Sequence, residues 1–565
     1  MRTVLCYGVV AAFTVVPSRG FGQVAPVIES NSTSGVTLKL SPCYSGLPAF
    51  GLVPLTLHIE NHRSHDGVWY LSSNASPNYD GSHMHYETAV DVAHGRSRDV
   101  EVLVPMPPAF DLPHLWRDIE LVVDGPDIHR NFGHLGAEIP SPANPRRTVL
   151  LTPALSSLVE RFRQIDGRDI AYLVGAPECL PVDTRAYLGI DAVWTTLGEL
   201  ENMRPEARSA LEDHVYLGGQ LGVFVPQKDE RRPLLSFASR WETMSHGMGE
   251  LHIVTGEPQS ERSATDFYDG LLHGPRRTSR LFELGPIDQV YPPMAVKRGS
   301  MLSILILFAL VVGPLNVFVF ARRARRARLI WTTPALSLGA SLLLSMTIFI
   351  EEDIGGKGLR QSLVLLAPER HLAHVLQVQT SRTGLLVFPR VDTPAGSYMD
   401  FLPAKTKFSG DYTFASDRMT GDWFRTRRVQ KHWLYQPRST RARIELVDRA
   451  PTPTLVSSVD TTFSELFYFD GQRYWHVTDV APGQRVVLEA ATSQAFDEWR
   501  LLLEKYTHPL ISQAWNKETE GWFYASVKEP RTQIIPSLKQ IAWDDHAVWA
   551  GPVTHDLVTP KSEEP

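Results

Sequence analysis

The sequence predicts a multidomain protein of the α/β plus β class, with an N-terminal β-sandwich, a parallel-sheet α/β domain, a two-helix transmembrane hairpin and a C-terminal β-rich domain. Three observations lead to this prediction. Short alternating apolar runs lie towards both ends, strand and helix patterns alternate after residue 146, and two charge-free apolar segments lie near the middle. The chain has 565 residues, of which 43% are hydrophobic, and this composition excludes a disordered chain.

The charge balance excludes one broad class of function. The chain has 56 lysines and arginines against 62 aspartates and glutamates, for a formal net charge of -6 at pH 7. A nucleic-acid-binding protein needs a surface that neutralises phosphates. We therefore do not expect nucleic acid among the partners.

Residues 1–22 predict a secretory signal peptide. Arg2 precedes an uncharged apolar stretch from Thr3 to Val16, and the small residues of GFG follow. Residues 23–145 then predict an exported β-sandwich domain, because runs such as VTLKL and IELVVDG alternate between turn-forming residues.

Residues 146–285 predict an α/β domain. TVLLT, IAYLVGAP and IDAVWTT are typical of strands, and ALSSLVERFR and RPEARSALEDHVYLGG have helical patterns. The second helix has Pro205 near its start and Gly218 past its end. Strands that alternate with helices form parallel sheets with right-handed crossovers.

Two charge-free segments predict transmembrane helices at 301–321 and 329–350, after a juxtamembrane segment at 286–300. Each is long enough to cross a hydrocarbon layer of roughly 30 Å at about 1.5 Å per residue. The loop at 322–328 is RRARRAR, and positive residues favour the cytoplasmic side. The sequence thus predicts a bacterial inner (cytoplasmic) membrane protein with two spans and both large regions on the periplasmic or extracellular side. The arginines that set this topology are Arg322, Arg323, Arg325, Arg326 and Arg328.

Two residues disturb the first apolar segment. Pro314 removes a backbone donor, and Asn316 carries an amide that hydrocarbon cannot satisfy. We expect a kinked helix in which Asn316 bonds either to carbonyls freed by the kink or to the second helix. A direct transport path would need more polar groups than this hairpin offers.

Residues 351–565 predict a further exported β-rich domain. Asp470-Gly471 lies between two aromatic runs and indicates a hairpin. One amphipathic helix is expected from Phe496 to Tyr506, where aromatic and apolar residues recur on one stripe.

Histidines cluster near the N-terminus and offer a candidate metal site. If the chain is a strand there, His83, His85 and Glu87 point to one face, where two imidazoles and a carboxylate could converge on a metal ion. An ordinary solvated loop or an adventitious cluster is the preferred interpretation of the pattern, and metal binding is the alternative. Six of the chain's 20 histidines lie in this part of the sequence: His58, His62, His65, His83, His85 and His94.

Cysteine chemistry is sparse outside the signal segment. Cys43 and Cys179 lie in two separate predicted domains. They could form one disulfide bridge in an oxidising compartment, but two separate buried thiols are the preferred interpretation. The chain has no P-loop, no G-x-S-x-G and no H-E-x-x-H motif. No cofactor is predicted.

Three blocks of the α/β region resemble the class I glutamine amidotransferase-like domains found in extracytoplasmic parts of bacterial membrane proteins. These blocks are IDAVWTTLGEL, RPEARSALEDHVYLGGQLGVFV and SHGMGELHIVTGEP. The segment GPLNVFVF, the basic loop after it, Trp331 and Pro334 are similar to an uncharacterised bacterial family. That family combines such a domain with a transmembrane hairpin and flanking β domains.

The resemblance implies a scaffold rather than an active amidotransferase. In amidotransferases, a cysteine nucleophile follows the strand after this Gly-Gly pair, and a His-x-Glu pair comes later. Here the strand leads to Val225-Pro226-Gln227-Lys228, and His252 and Glu257 are too far apart in sequence to match the pair. A cysteine nucleophile attacks as a thiolate, and the required cysteine is missing.

The sequence therefore predicts a non-enzymatic, membrane-anchored envelope protein whose exported domains act as scaffold or binding modules. Similar domains occur in auxiliary subunits of ABC transport systems, which implies an accessory role in a transporter or envelope complex. The alternative is a metal-dependent envelope hydrolase that uses His83, His85 and Glu87. The expected partners are the lipid bilayer and other membrane or envelope proteins.

Overall fold

The computed structural model describes most of the chain between Ile28 and His555. Of the described residues, 48% lie in strands and 24% in helices. The described residues are 28–29, 35–48, 50–77, 83–106, 115–126, 128–139, 147–158, 170–226, 244–258, 260, 265–267, 270, 280–281, 283, 285–291, 298–320, 329–351, 354–402, 410–415, 418–449, 451–516 and 518–555.

The N-terminal part of the chain contributes eight strands to two sheets. They are β1 (Ile28–Glu29), β2 (Val36–Pro42), β3 (Leu52–Asn61), β4 (Gly67–Pro77), β5 (His83–Val92), β6 (Ser97–Pro105), β7 (Leu115–Gly125) and β8 (Ile128–Ile139). A four-stranded sheet has the order β1-β2-β3-β6, and β5-β4-β7-β8 belong to a seven-stranded sheet. Burial alternates along β2, so one face of that strand is turned to the core.

The next part of the chain forms a six-stranded sheet, which we call the parallel sheet. Its strands are β9 (Arg147–Leu151), β10 (Ile170–Val174), β11 (Ala192–Thr196), β12 (Gln220–Val225), β13 (Met244–His246) and β14 (Gly249–Thr255). The order is β10-β9-β11-β12-β14-β13, and all neighbours pair in parallel except β13, which is antiparallel to β14. Two helices follow β11, namely α1 (Leu197–Asn202) and α2 (Pro205–Tyr216).

The C-terminal part contributes sixteen strands. They are β15 (Gly356–Ala367), β16 (Leu372–Thr383), β17 (Arg390–Asp392), β18 (Tyr398–Phe401), β19 (Asp411–Ala415), β20 (Arg418–Gly421), β21 (Val429–Ser439), β22 (Ile444–Asp448), β23 (Thr454–Ser457), β24 (Phe463–Phe469), β25 (Tyr474–Val480), β26 (Arg485–Val487), β27 (Glu489–Ala491), β28 (Trp522–Val527), β29 (Ile541–Pro552) and β30 (Thr554–His555). A nine-stranded sheet has the order β18-β21-β16-β15-β29-β28-β24-β25-β27, and β26-β23-β22-β30 form a second four-stranded sheet.

Strands from the N-terminal and C-terminal parts of the chain share one sheet. Strand β19 pairs in parallel with β5, with Asp411 opposite His83 and Ala415 opposite Glu87. Together with β17 and β20, this pairing completes the seven-stranded sheet. One apolar core accordingly runs from Val36 to Val553.

The parallel sheet is buried on both faces, as parallel sheets usually are. Leu150, Val193 and Leu221 pack on one face together with apolar residues of α1 and α2. Val149 and Trp194 face the other way. All residues of β9 and β12 are buried, and the polar side chains of Arg147 and Gln220 at their starts bond to each other at 2.6 Å.

Four further α-helices and one π-helix are described, beside short 3-10 turns at Pro153–Leu155, Pro177–Cys179, Thr184–Tyr187, Pro286–Gln289 and Pro368–Arg370. A helix α3 (Arg298–Leu310) continues as a π-helix over Val311–Phe320, and α4 (Leu329–Glu351) follows. Helices α5 (Ser493–Glu504) and α6 (Pro509–Asn516) pack beside the nine-stranded sheet. The predicted hairpin at Asp470-Gly471 is confirmed, because β24 and β25 pair there in antiparallel fashion.

The predicted fold class is wrong. The chain is mostly β and is built from several sheets, with twice as many residues in strands as in helices. Five strands of the 146–285 region do pair in parallel, but the predicted α/β amidotransferase-like domain with regular helical crossovers is not supported. Sequence periodicity predicted individual strands and helices in this region. It could not predict which distant strands pair with each other, and those pairings determine the fold class.

The predicted pair of transmembrane helices at 301–321 and 329–350 is also wrong. Within the part of the chain that the structure describes, no helix is both long and apolar enough to cross a membrane. The first apolar segment is divided at Val311, where the α-helix gives way to a π-helix that contains Pro314. Proline removes a backbone donor and disturbs an α-helix at this point. The two-span localisation in a bacterial inner membrane, which required both helices, is therefore wrong as well.

Candidate functional site

The residues of the predicted metal site lie on strand β5. His83 and Glu87 are exposed, and His85 is half-buried between them. The Nε2 atom of His85 is 3.7 Å from a carboxylate oxygen of Glu87, and its Nδ1 atom is 2.9 Å from the Asn74 side-chain oxygen. Among the described residues, no group of three or more His, Cys, Asp or Glu side chains could hold a metal ion. Metal binding stays a prediction.

The histidine cluster of the sequence is divided between two sheets. His58 lies on β3, where its ring nitrogens are 2.6 Å from Asp99 and 3.1 Å from Glu60. His62 contacts the other carboxylate oxygen of Glu60 at 3.3 Å. Burial lowers the pKa of His58, but the bonds to Asp99 and Glu60 outweigh it, so that its pKa is raised. This group is an exposed imidazole–carboxylate chain, separate from β5.

The carboxyl edge of the parallel sheet is where open parallel sheets commonly bind ligands. Here Glu199 lies in the first turn of α1, directly after β11, and bonds to the segment after β9. Its carboxylate accepts hydrogen bonds from the Thr152 hydroxyl, from the Thr196 hydroxyl at 3.0 Å and from the Ala154 N–H at 2.9 Å. Glu199 is also one half of the capping box of α1, in which Thr196 and Glu199 each bond to the backbone N–H of the other. Its carboxylate therefore has a structural role at the start of this helix.

The two cysteines of the described chain are free thiols. Cys43 is buried, and burial raises the pKa of its thiol to about 12. Burial also raises the pKa of Cys179. Because the thiolate is the nucleophilic form, neither side chain is poised for covalent catalysis.

A buried charged cluster joins helix α2 to the nine-stranded sheet. We call it the Asp213 cluster, and it consists of Asp213, Thr184, Arg370, His374 and Tyr435. The Asp213 carboxylate accepts hydrogen bonds from the Arg370 guanidinium at 2.5 Å and from the Thr184 hydroxyl at 2.8 Å. The Nε2 atom of His374 lies 3.0 Å from the same carboxylate. The other ring nitrogen of His374 is 3.0 Å from the Tyr435 hydroxyl.

The Asp213 cluster has the order of an acid–base relay but is enclosed. The side chain of His374 is 0% exposed and that of Asp213 7% exposed. Burial raises the pKa of Asp213, yet His374, Arg370 and Thr184 together lower it below its usual value. The cluster therefore holds a paired buried charge between two parts of the fold, and substrate could reach it only if they separated.

The most unusual surface belongs to the helix pair, by which we mean α3, the π-helix and α4. Fourteen of the 23 large apolar side chains that are exposed in the described chain lie on these helices, and each is at least 50% exposed. Monomeric proteins seldom expose so large a contiguous apolar surface without a function. They are Leu302, Leu305, Ile306, Leu307, Leu310, Leu315, Val317, Phe318, Ile330, Trp331, Leu338, Leu342, Leu343 and Met346.

Polar bonds hold the helix pair together on its inner side. Asn316 is 1% exposed and donates to the Thr333 hydroxyl at 2.9 Å. The Thr332 hydroxyl donates to the Asn316 side-chain oxygen at 2.8 Å. Of the two partners expected for Asn316, the structure selects the second helix.

Some predicted site residues lie outside the described chain. The five arginines from Arg322 to Arg328 belong to the segment 321–328, and the signal peptide to 1–27. The Asp213 cluster and Glu199 were not found from the sequence. Only Glu199 had a local signal, because Thr196 and Glu199 have the spacing of a capping box.

No protein-family model matches the chain, and no curated protein matches it. Among solved structures, it is similar to a cycloisomaltooligosaccharide glucanotransferase of Paenibacillus sp., at 12% identity over 33% of this chain and 27% of that one, with a TM-score of 0.16. It is also similar to β-glucuronidase 2 of Bacteroides uniformis, at 10% identity over 42% and 31% of the two chains, with a TM-score of 0.18.

A β-D-mannosidase from Dictyoglomus thermophilum matches at 10% identity over 83% of this chain and 76% of that one, with a TM-score of 0.18. The chain spans less than a third of the length of the first two structures. At these TM-scores, none of the similarities supports an argument about fold or activity.

Proposed function

We propose that the protein is a non-enzymatic scaffold that attaches to an anionic lipid bilayer through its helix pair. The observation that carries this proposal is the set of fourteen half-exposed apolar side chains on α3, the π-helix and α4. The proposal concerns contact of these helices with lipid and does not depend on either helix crossing the bilayer.

Exposed apolar surface of this extent favours an apolar environment. Burying a half-exposed leucine gains on the order of 1 kcal/mol, so fourteen such side chains provide a large total driving force. The Asn316 side chain is already satisfied inside the pair, since it bonds to Thr332 and Thr333. A helix can contact hydrocarbon when its backbone groups are hydrogen-bonded within the helix and its outer side chains are apolar.

The charge of the connecting segment favours lipid over a protein partner. The sequence between the helices carries five arginines in seven residues, at 322–328. A basic segment beside apolar helices is attracted to anionic headgroups, at about 1 kcal/mol per basic residue near the surface. This complementarity selects an anionic bilayer as the occupant.

In this proposal, the described candidate sites have structural roles. The thiol of Cys43 is held neutral by burial, and the Asp213 cluster is closed. The Glu199 carboxylate is bonded to Thr152 and Ala154 at the carboxyl edge of the parallel sheet. The remaining β surfaces are then available as binding modules for a protein partner, such as another component of an envelope complex.

The test measures flotation of the full-length protein with vesicles. We expect the protein to float with phosphatidylglycerol vesicles and less with phosphatidylcholine vesicles. Replacing Leu338 and Leu342, which are 63% and 62% exposed, by serine should lower the partition coefficient at least tenfold. Each buried CH₂ contributes about 0.8 kcal/mol, so two leucines exceed the roughly 1.4 kcal/mol that a tenfold change requires.

The matched control removes two equally exposed leucines elsewhere. Leu501 and Leu502 on α5 are 61% and 72% exposed, and their replacement by serine should leave flotation unchanged. The proposal fails if the unmodified protein does not float, or if both double variants lose flotation equally.

A further inference from the structure

A short loop at one end of the nine-stranded sheet exposes three large apolar side chains. Phe388 is 92% exposed, Ile354 72% and Val387 53%, and we call these three residues the apolar tip. Ile354 is three residues after the end of α4 at Glu351. At no more than about 3.6 Å per residue, the tip lies close to the end of the helix pair.

The loop is rigidly held, although its tip faces water. The backbones of Gly355 and Gly384–Leu385 bond to each other at 2.9 and 2.7 Å. The Gln540 side chain accepts from the Val387 N–H at 2.9 Å and donates to the Val387 carbonyl at 2.6 Å. Leu386 is buried beneath the tip. The fold thus fixes this loop with its apolar side chains pointing outward.

Phe388 adopts a backbone conformation that is costly for its side chain. Its φ is 47°, in the left-handed region. A bulky residue without glycine's freedom loses about 1–2 kcal/mol there. Strain retained at an exposed apolar residue points to a use for that residue.

Five basic side chains surround the base of the loop, and we call them the basic collar. All are exposed: Lys357, Arg382, Arg427, Arg428 and Lys539. Lys357 and Arg382 lie opposite each other where β15 and β16 approach the loop. The Arg427 N–H donates to the Gly384 carbonyl, and Lys539 precedes Gln540.

The five basic residues of the collar outnumber the three acidic residues that the sequence carries at 351–353. Asp392 lies nearby but is already paired with Arg390 at 2.7 Å. An outward aromatic within a basic ring matches the boundary between acyl chains and anionic headgroups.

We propose that the apolar tip inserts into the headgroup boundary of the same anionic bilayer that the helix pair contacts, with the basic collar on the lipid phosphates. This inference rests on the proposed function and adds a second contact. Two contacts joined by three residues fix the orientation of the nine-stranded sheet against the lipid. Because the loop is already ordered, little conformational entropy is lost on insertion.

The test places a polarity-sensitive fluorophore on the full-length chain. The probe is attached at Phe388→Cys, in a protein whose own cysteines are replaced by alanine. The matched control carries the probe at Gln472→Cys, in the hairpin between β24 and β25. The strand pairing places that exposed hairpin at the opposite end of the same sheet.

With phosphatidylglycerol vesicles, we expect the probe at 388 to shift to shorter wavelength and to be quenched by spin-labelled lipid, while the probe at 472 stays in water. The variant with Arg427→Gln and Arg428→Gln should reduce lipid quenching at 388 by about fivefold per arginine. Arg473→Gln with Arg531→Gln, at other exposed sites, should leave it unchanged.

Three outcomes separate this inference from the proposed function. If the protein floats and the probe at 388 remains in water, the tip does not insert, and the helix-pair proposal stands. If the probe shifts without vesicles, the tip binds a second copy of the chain, and the inference is overturned. If the protein does not float at all, the proposed function itself fails.

Discussion

At the scale of single residues, Asp213 is a buried charge with three side-chain partners. It links three segments, because Thr184, Arg370 and His374 all meet its carboxylate. A buried charge is tolerated only when it is paired and hydrogen-bonded. Removing one partner is costly chiefly because the others are then left buried without compensation.

Asp213→Ala should therefore lower the free energy of unfolding by about 3–5 kcal/mol, because Arg370 loses its buried counter-charge and Thr184 and His374 lose a hydrogen-bond partner. Urea unfolding followed by circular dichroism measures the change. The control is Asp448→Ala, which breaks an ion pair with Arg485 whose two side chains are 54% and 59% exposed. That exposed pair should contribute about 0–1 kcal/mol. Equal effects of the two substitutions would show that the Asp213 cluster carries no special stability.

Contacts of Asp213 could not be predicted from the sequence, although several local elements could. The strand at Ala192–Thr196 and the hairpin at Asp470-Gly471 follow from local patterns, and both were found. Arg370, by contrast, lies 157 positions from Asp213. Nothing local connects them, since the contact depends on how α2 docks on the nine-stranded sheet. The pairing of Asp411 with His83 is of the same kind.

At the scale of elements, the helix pair combines an apolar outside with one polar contact inside. Asn316 lies in the π-helix, two residues after Pro314, and bonds to Thr332 and Thr333 of α4. The sequence indicated that Asn316 needs a partner but could not choose between the two candidates. The choice depends on the register of one helix against the other.

Asn316→Ala should loosen the helix pair, because it leaves the Thr332 and Thr333 hydroxyls without their partner. We expect a cost of about 0.6–1.7 kcal/mol, as measured for interhelical polar contacts in apolar surroundings. Hydrogen exchange of 311–320 and 329–340 should become faster. Ser303→Ala is the control, since that hydroxyl bonds only within α3, to the Gly299 carbonyl at 2.9 Å. Unchanged exchange in Asn316→Ala would contradict the inferred role.

At the scale of the whole molecule, buried histidines link stability to pH across several sheets. Burial lowers the pKa of His246 on β13 to about 4 and that of His508 beside α6 to about 4. Burial likewise lowers the pKa of His432 on β21 to about 3. The ordinary value for histidine is about 6.5, so these three rings are neutral in the folded state where the unfolded chain already binds protons.

The raised pKa of His58 gives a contribution to stability that is lost as the pH rises above 6.5. For the three buried rings, stability should fall as the pH decreases from 6.5 towards 4. In that interval the unfolded chain binds more protons than the folded one, so the free energy of unfolding decreases with falling pH. Each histidine contributes about 1.4 kcal/mol per pH unit between its folded and unfolded pKa values. The lowered pKa of Asp213 adds to the loss only at still lower pH, below about 3.9.

Urea midpoints measured from pH 8 to pH 4 test this expectation. His246→Gln removes one of the three buried rings and should reduce the slope below pH 6.5 by about a third. His65→Gln, at an exposed position, should leave the slope unchanged. A flat profile down to pH 4 would mean that these rings are hydrated in the folded protein. The expected reduced slope in His246→Gln, with the slope of His65→Gln unchanged, would show that the His246 ring is neutral in the folded protein and takes up its proton on unfolding.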